Sequence, residues 1–110
     1  MKGTRPYALA LTLAATWPAA GAQDAAPVPA EAGRKLYISA CQRCHGINLV
    51  TSGIGFDLRT FPQAEKERFI RSVTHGLRAM PAWNGILQPE QMELIWAYIG
   101  SVNGWKPAAQ

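Results

Sequence analysis

Two cysteines that stand three residues apart, with a histidine directly after the second, constrain this chain more than any other feature. The run is Cys41-Gln42-Arg43-Cys44-His45. On a helical turn, Cys41 and Cys44 project from the same side, and His45 lies one turn on from Cys41. The two thiols can then add to the two vinyl groups at one edge of a porphyrin, and the imidazole can reach the iron. This spacing is the signature of covalent haem attachment.

Three other kinds of site use similar cysteine pairs. A zinc site needs four ligands, but the chain has only two cysteines and two histidines, the second of which is His75. A thioredoxin-like redox pair is expected beside a βαβ pattern, and none is visible. A chance motif with a structural disulfide stays open on the five residues alone, although so small a loop would add little stability. We therefore prefer one haem c held by Cys41 and Cys44.

The beginning of the chain has the three parts of a secretory signal peptide. Lys2 and Arg5 precede an apolar run over residues 7–17, and Ala20-Gly21-Ala22 offers small residues for cleavage. The apolar run is shorter than the roughly 20 residues that span a bilayer, although a retained anchor or an apolar core helix remains an alternative. We expect residues 1–22 to be removed, which places the mature chain in the periplasm without a transmembrane anchor.

The charge of the expected mature chain argues against nucleic acid as a partner. Residues 23–110 hold 9 Lys plus Arg and 7 Asp plus Glu, a net of +2 against +4 for the whole chain. No Lys/Arg cluster is visible. After a flexible, Pro/Ala-rich lead-in over residues 23–29, residues 30–110 form one domain, which we expect to be monomeric. A domain this short needs extra support for its core, and a covalent cofactor would supply it.

The apolar periodicity predicts three helices, over residues 29–44, 62–75 and 89–102, and no strand. Gly33 lies on the apolar stripe of the first helix, where it costs up to about 1 kcal/mol relative to alanine. A close helix crossing would explain that cost. The stripes share spacings of three and four, and they comprise Gly33, Leu36, Tyr37, Ala40, Cys41 and Cys44 in the first helix, Phe69, Ile70 and Val73 in the second, and Ile95, Tyr98, Ile99 and Val102 in the third.

Three side chains are candidates for the second axial position of the iron. Met80 lies in a loop after the helix stop Gly76, and Pro81 stiffens the backbone beside it. Met92 lies inside the last helix, where methionine usually fills gaps in the core. His75 ends the second helix, where the macrodipole favours a cation. We prefer Met80, because a loop thioether can be aimed at an iron and His/Met ligation suits electron transfer.

These residues resemble those of class I cytochromes c over nearly the whole mature chain. The resemblance rests on the attachment run with Gly46, on Gly76 followed by Met80-Pro81-Ala82-Trp83, and on Ile95-Trp96-Ala97-Tyr98-Ile99. It implies an all-α fold of three main helices and long loops around one haem, with His45 and Met80 as iron ligands. It also implies a close crossing at which Gly33 and Tyr37 meet Ile95 and Tyr98.

One stretch departs from the family pattern. The family often has a Gly-Pro pair whose proline carbonyl orients the haem histidine, and the matching residues here are Gly55-Phe56-Asp57-Leu58. Phenylalanine also has a carbonyl, so the hydrogen bond can survive. The resemblance further suggests that Arg59 and Trp83 either donate to the haem propionates or act as surface packing residues.

The resemblance implies a one-electron carrier, not an enzyme, that exchanges electrons with a donor and an acceptor protein. Residues 55–62 and 80–87 are similar to periplasmic cytochromes that accept electrons from quinoprotein (PQQ-dependent) alcohol dehydrogenases. Docking is expected at the haem edge near Cys41 and Cys44, and the nearly neutral surface predicts little dependence on salt. Two alternatives stay open: an open-iron haem protein that binds a gas or a peroxide, and a fixed cytochrome subunit of a dehydrogenase.

Overall fold

Four α-helices and three short 3-10 turns make up the fold in a computed structural model that describes residues 2–4, 6–16 and 28–106. The helices are α1 (Pro29–Ala40), α2 (Gln42–His45), α3 (Lys66–His75) and α4 (Pro89–Asn103). Over these described ranges no strand forms, although two isolated bridges occur in the loop before α4. The predicted all-α class is confirmed. The 3-10 turns are Ile47–Leu49, Leu58–Thr60 and Gln63–Glu65.

Of the predicted signal peptide, the structure describes residues 2–4 and 6–16. Residues 6–16 are exposed and form no helix. The expected cleavage point after Ala22 and residues 23–27 of the lead-in fall outside the described residues, as do residues 107–110. In the part of the chain that the structure describes, no helix is both long and apolar enough to cross a membrane.

Two helices are shorter than the periodicity predicts. The first helix ends at Ala40, because Cys41 has φ −117° and breaks it before α2. The second begins with the 3-10 turn Gln63–Glu65 and becomes α-helical at Lys66. The break at Cys41 lies inside the attachment run, so the two cysteines do not share one continuous helix. The directions in which the two thiols point therefore depend on this kink as well as on the spacing of the cysteines.

The crossing of α1 over α4 positions the site, and it confirms the expectation for Gly33. A Cβ atom added to Gly33 would lie 1.8 Å from the carbonyl oxygen of Leu94, so only glycine allows this approach. One turn further on, the rings of Tyr37 and Tyr98 lie 5.1 Å apart between centroids. Ile95 is buried beside them. The stability lost by placing glycine in a helix is offset by this contact.

A second part of the core is an aromatic cluster that joins α3 to α4. The Phe69 and Trp96 rings lie 5.1 Å apart, Phe61 meets both edge-on, and Trp105 stacks on the other side of Trp96. Such pairs contribute about 0.5–1.5 kcal/mol each beyond their buried area. Val102, which the stripe placed in the core, is 39% exposed. That prediction is wrong, because Val102 lies at the end of α4, one residue before its last residue Asn103.

Candidate haem site

The two cysteines lie side by side at the end of α1 and are not joined to each other. Cys41 packs against the core, whereas Cys44 is exposed. Burial, and to a lesser extent the neighbouring Cys44, raises the pKa of the Cys41 thiol to about 12. Cys41 therefore stays protonated at neutral pH and behaves as a small apolar side chain. Both thiols remain available for thioether bonds.

His45 is oriented by the residue at which the chain departs from the family pattern. Its Nδ1 atom lies 2.8 Å from the carbonyl oxygen of Phe56. A carbonyl only accepts hydrogen bonds, so Nδ1 carries a proton, and in the neutral imidazole Nε2 then has the lone pair that binds a metal. A metal-binding histidine usually has this tautomer, with the outer nitrogen donating to a carbonyl. The expectation that phenylalanine preserves the contact is confirmed.

The backbone of Gly55 lies close to the attachment run, and this approach brings the Phe56 carbonyl to the imidazole. The Gly55 N–H donates to the Cys44 carbonyl at 2.8 Å, which ties the loop to the attachment run. A Cβ atom on Gly55 would lie 2.7 Å from the Cys44 oxygen and 2.9 Å from His45 Nδ1. Any residue larger than glycine would push the loop away from His45.

A threonine that sequence reasoning missed holds the same loop from its other side. The Thr51 hydroxyl donates to the Gly55 carbonyl at 2.7 Å and accepts from the Gly53 N–H at 3.1 Å. The signal was present as Thr51-Ser52-Gly53-Ile54-Gly55, because a threonine followed two residues later by glycine is typical of a side-chain-stabilised turn.

A buried phenol fixes the backbone directly after His45. The Tyr37 hydroxyl donates to the Gly46 carbonyl at 2.6 Å, and the Tyr37 side chain is fully buried. Burial raises the pKa of Tyr37, so the phenol remains a donor across the physiological range. The α1–α4 crossing thus connects directly to the attachment run.

Tyr37→Phe is expected to destabilise the protein by about 1–2 kcal/mol, because the Gly46 carbonyl loses its partner in a buried position. Tyr98→Phe is the matched control, since its hydroxyl makes a longer bond of 3.4 Å to Asn48. We expect it to cost less than about 1 kcal/mol. Urea unfolding of the two variants measures both effects. Equal losses would contradict the assigned role of Tyr37.

The loop that carries Met80 is pinned to the end of α3. Gly76 ends the helix with φ +78°, a conformation that favours glycine. Leu77 and Met80 exchange backbone hydrogen bonds of 3.1 and 2.9 Å, which close a tight turn. The Trp83 N–H then donates to the Val73 carbonyl at 2.9 Å. Met80 is half-buried in this turn, and both its N–H and its carbonyl are hydrogen-bonded, so the backbone that carries the thioether is fixed.

The other ligand candidates lie in different surroundings. Met92 is 3% exposed, and its sulfur lies 3.5 Å from the Thr74 hydroxyl, as expected for a methionine that fills the core. His75 is exposed at the last residue of α3. Arg59 binds the Asp57 carboxylate at 3.1 and 2.9 Å, and these hydrogen bonds lower the pKa of Asp57. Trp83 is partly buried against the core.

The donor set and the loops around it fit a covalent haem. Two free thiols, an imidazole with its Nδ1 satisfied, and a loop thioether match what attachment and His/Met ligation require. The loop after α2 and the loop after α3 also present large apolar side chains. Such side chains can pack on the face of a porphyrin, whereas they would not bind a metal ion without one. The exposed members are Val50, Ile54, Phe56 and Leu77, each more than half exposed.

Fold and site together define a c-type cytochrome, and comparison with known proteins names the family. A family model described as cytochrome c oxidase, cbb3-type, subunit III matches residues 28–99. Cytochrome c6 of Thermosynechococcus vestitus is 34% identical over 105 residues, which are 89% of this chain and 88% of that protein. The chain therefore belongs to the cytochrome c family, as a small class I cytochrome with one covalently bound haem c. Members of this class carry electrons and are not enzymes.

Two dehydrogenases of Pseudomonas putida are also similar to the chain. The quinohemoprotein alcohol dehydrogenase ADH IIB is 36% identical over 80 residues, or 70% of this chain, and ADH-IIG is 34% identical over 116 residues, or 88% of it. The chain spans only 12% and 16% of their respective lengths. No solved structure matches the chain at comparable significance.

Proposed function

We propose that this cytochrome shuttles single electrons between periplasmic redox proteins. Cys41 and Cys44 hold the haem by thioether bonds, His45 is the proximal iron ligand and Met80 the distal one. The observation that carries the proposal is the hydrogen bond between His45 Nδ1 and the Phe56 carbonyl. It leaves Nε2 as the only free nitrogen of the ring and presets its orientation.

The protein's own residues favour electron transfer by limiting the structural reorganisation that accompanies it. When bound, the haem supplies a one-electron iron couple. The apolar side chains of the two loops exclude water, so little solvent has to reorganise when the charge changes. Backbone hydrogen bonds from Gly55 to Cys44 and from Trp83 to Val73 hold both ligand loops to helices. His45 and Met80, by both binding the iron, would leave no coordination site for a gas or a peroxide.

We propose a quinoprotein (PQQ-dependent) alcohol dehydrogenase as the electron donor. Support comes from the two Pseudomonas putida relatives, whose names combine a quinone and a haem with alcohol dehydrogenase activity, and of which this chain matches a small part. A separate, monomeric protein that is similar to that part would accept electrons from such a dehydrogenase. Residues 1–22, as a cleaved signal peptide, would bring it to the periplasm, with docking through the haem edge near Cys41 and Cys44.

The spectrum of the holoprotein tests the carrier proposal. We expect a low-spin oxidised protein with the weak charge-transfer band of methionine-to-iron ligation, whose spectrum does not change on adding peroxide, and a reduced protein whose spectrum does not change on adding carbon monoxide. A high-spin spectrum that shifts with either ligand would favour an open iron instead.

The same preparation tests the partner. A purified quinoprotein alcohol dehydrogenase with its alcohol should reduce the cytochrome, and heat-treated dehydrogenase is the control. Co-purification at a fixed ratio would favour a permanent subunit over a mobile carrier.

A further inference from the structure

We propose that Thr51 is a positioning residue that sets the reduction potential through the Phe56 carbonyl. The inference rests on the proposed role of His45 as proximal ligand. It concerns a side chain that does not touch the imidazole and acts through one peptide unit.

The need for such a residue follows from the amino acid at position 56. A proline would lock its own φ angle and so hold its carbonyl in place. Phe56 lacks that restriction, and its side chain is 59% exposed, with its ring edge-on to that of Phe61 at 6.5 Å between centroids. Its own packing therefore does little to fix the carbonyl that meets His45.

Gly55, the residue before Phe56, is fixed instead at both its N–H and its carbonyl. The Thr51 hydroxyl donates to the Gly55 carbonyl at 2.7 Å, and the Gly55 N–H donates to the Cys44 carbonyl at 2.8 Å. The hydroxyl also accepts from the Gly53 N–H at 3.1 Å, so its direction is set by two bonds. With Gly55 held in this way, the Phe56 carbonyl meets Nδ1 at 2.8 Å. Thr51 thus supplies by hydrogen bonding the restraint that a proline ring would supply covalently.

The electronic consequence has a definite sign. Donation of the Nδ1 proton to a carbonyl raises the basicity of the imidazole, and a more basic ligand stabilises the oxidised iron. Loosening the carbonyl weakens that donation. The reduction potential then rises, and the Nδ1 proton exchanges more easily with solvent.

Thr51→Val, which replaces the hydroxyl by a methyl group of similar size, is the direct test in the holoprotein. We expect a more positive midpoint potential and about tenfold faster deuterium exchange at His45 Nδ1 in the reduced protein, followed by NMR. Thr51→Ser, which keeps the hydroxyl, should retain wild-type values of both. Thr51→Ala repeats the deletion if the valine variant does not mature.

Thr60→Val is the matched control, because Thr60 also donates to a backbone carbonyl, that of Asp57 at 3.0 Å, in the next turn of the same loop. It should leave the potential and the exchange rate unchanged. The proposal is overturned if Thr51→Val and Thr51→Ala keep both wild-type values, or if Thr60→Val shifts them equally. Failure of the carrier proposal is seen separately, as a wild-type holoprotein without the low-spin His/Met spectrum.

Discussion

Gly33→Ala is expected to destabilise the protein by more than about 3 kcal/mol and to abolish accumulation of the holoprotein at physiological temperature. In an isolated helix the same change would be favourable by about 1 kcal/mol. Here the new methyl group would overlap the Leu94 carbonyl, since the added carbon would lie 1.8 Å from that oxygen. Both sides of the contact are helix backbone, so α1 and α4 would have to separate and open the core.

Lys35→Ala is the control for this experiment, because Lys35 is exposed on the same helix and makes none of the four ion pairs seen in the described residues. A change within about 0.5 kcal/mol is expected. Urea unfolding and the yield of haem-containing protein measure both variants. A Gly33→Ala protein as stable as the wild type would mean that the crossing is looser than the structure shows.

Met80→Ala is expected to remove the distal ligand and lower the reduction potential by on the order of a few tenths of a volt, since axial ligands tune haem potentials over about 0.8 V. The oxidised protein should lose its methionine-to-iron band and bind added imidazole, and the reduced protein should bind carbon monoxide. The fold should survive, because Met80 is only half-buried and its turn is held by backbone hydrogen bonds.

Met92→Leu and His75→Asn separate this assignment from its alternatives. Met92→Leu preserves volume in the core, so it should cost less than about 1.5 kcal/mol and leave the spectrum intact. His75→Asn changes an exposed helix end and should also leave the spectrum intact. Loss of the methionine band in Met92→Leu, with its retention in Met80→Ala, would reassign the ligand.

The chemistry of the site was readable from the sequence because it depends on neighbours along the chain. The attachment run needs only one helical turn, and the Met80-Pro81 loop only a helix stop before it. Gly33 could be assigned to a helix crossing because glycine on an apolar stripe has a cost that needs compensation. The structure supplies its partner in the Leu94 carbonyl.

Other features depend on groups that are distant along the chain or on backbone that carries no residue signature. The Phe56 carbonyl could replace a proline carbonyl only if the loop returned to His45, and the Thr51 and Gly55 hydrogen bonds that return it appear only in three dimensions. Val102 showed the opposite limit, because it continues the apolar stripe in the sequence but is 39% exposed at the end of α4.

The sequence by itself determined the all-helical class, the covalent attachment run and the candidate ligands, since each follows from spacing within one or two turns. Only the tertiary structure decided how the Cys41–His45 region is held. Tyr37 donates to Gly46 and the loop of Thr51 and Gly55 brings a carbonyl to His45. These contacts join residues 4 to 11 positions apart. They form because the α1–α4 crossing and the loop closure place each donor beside its acceptor.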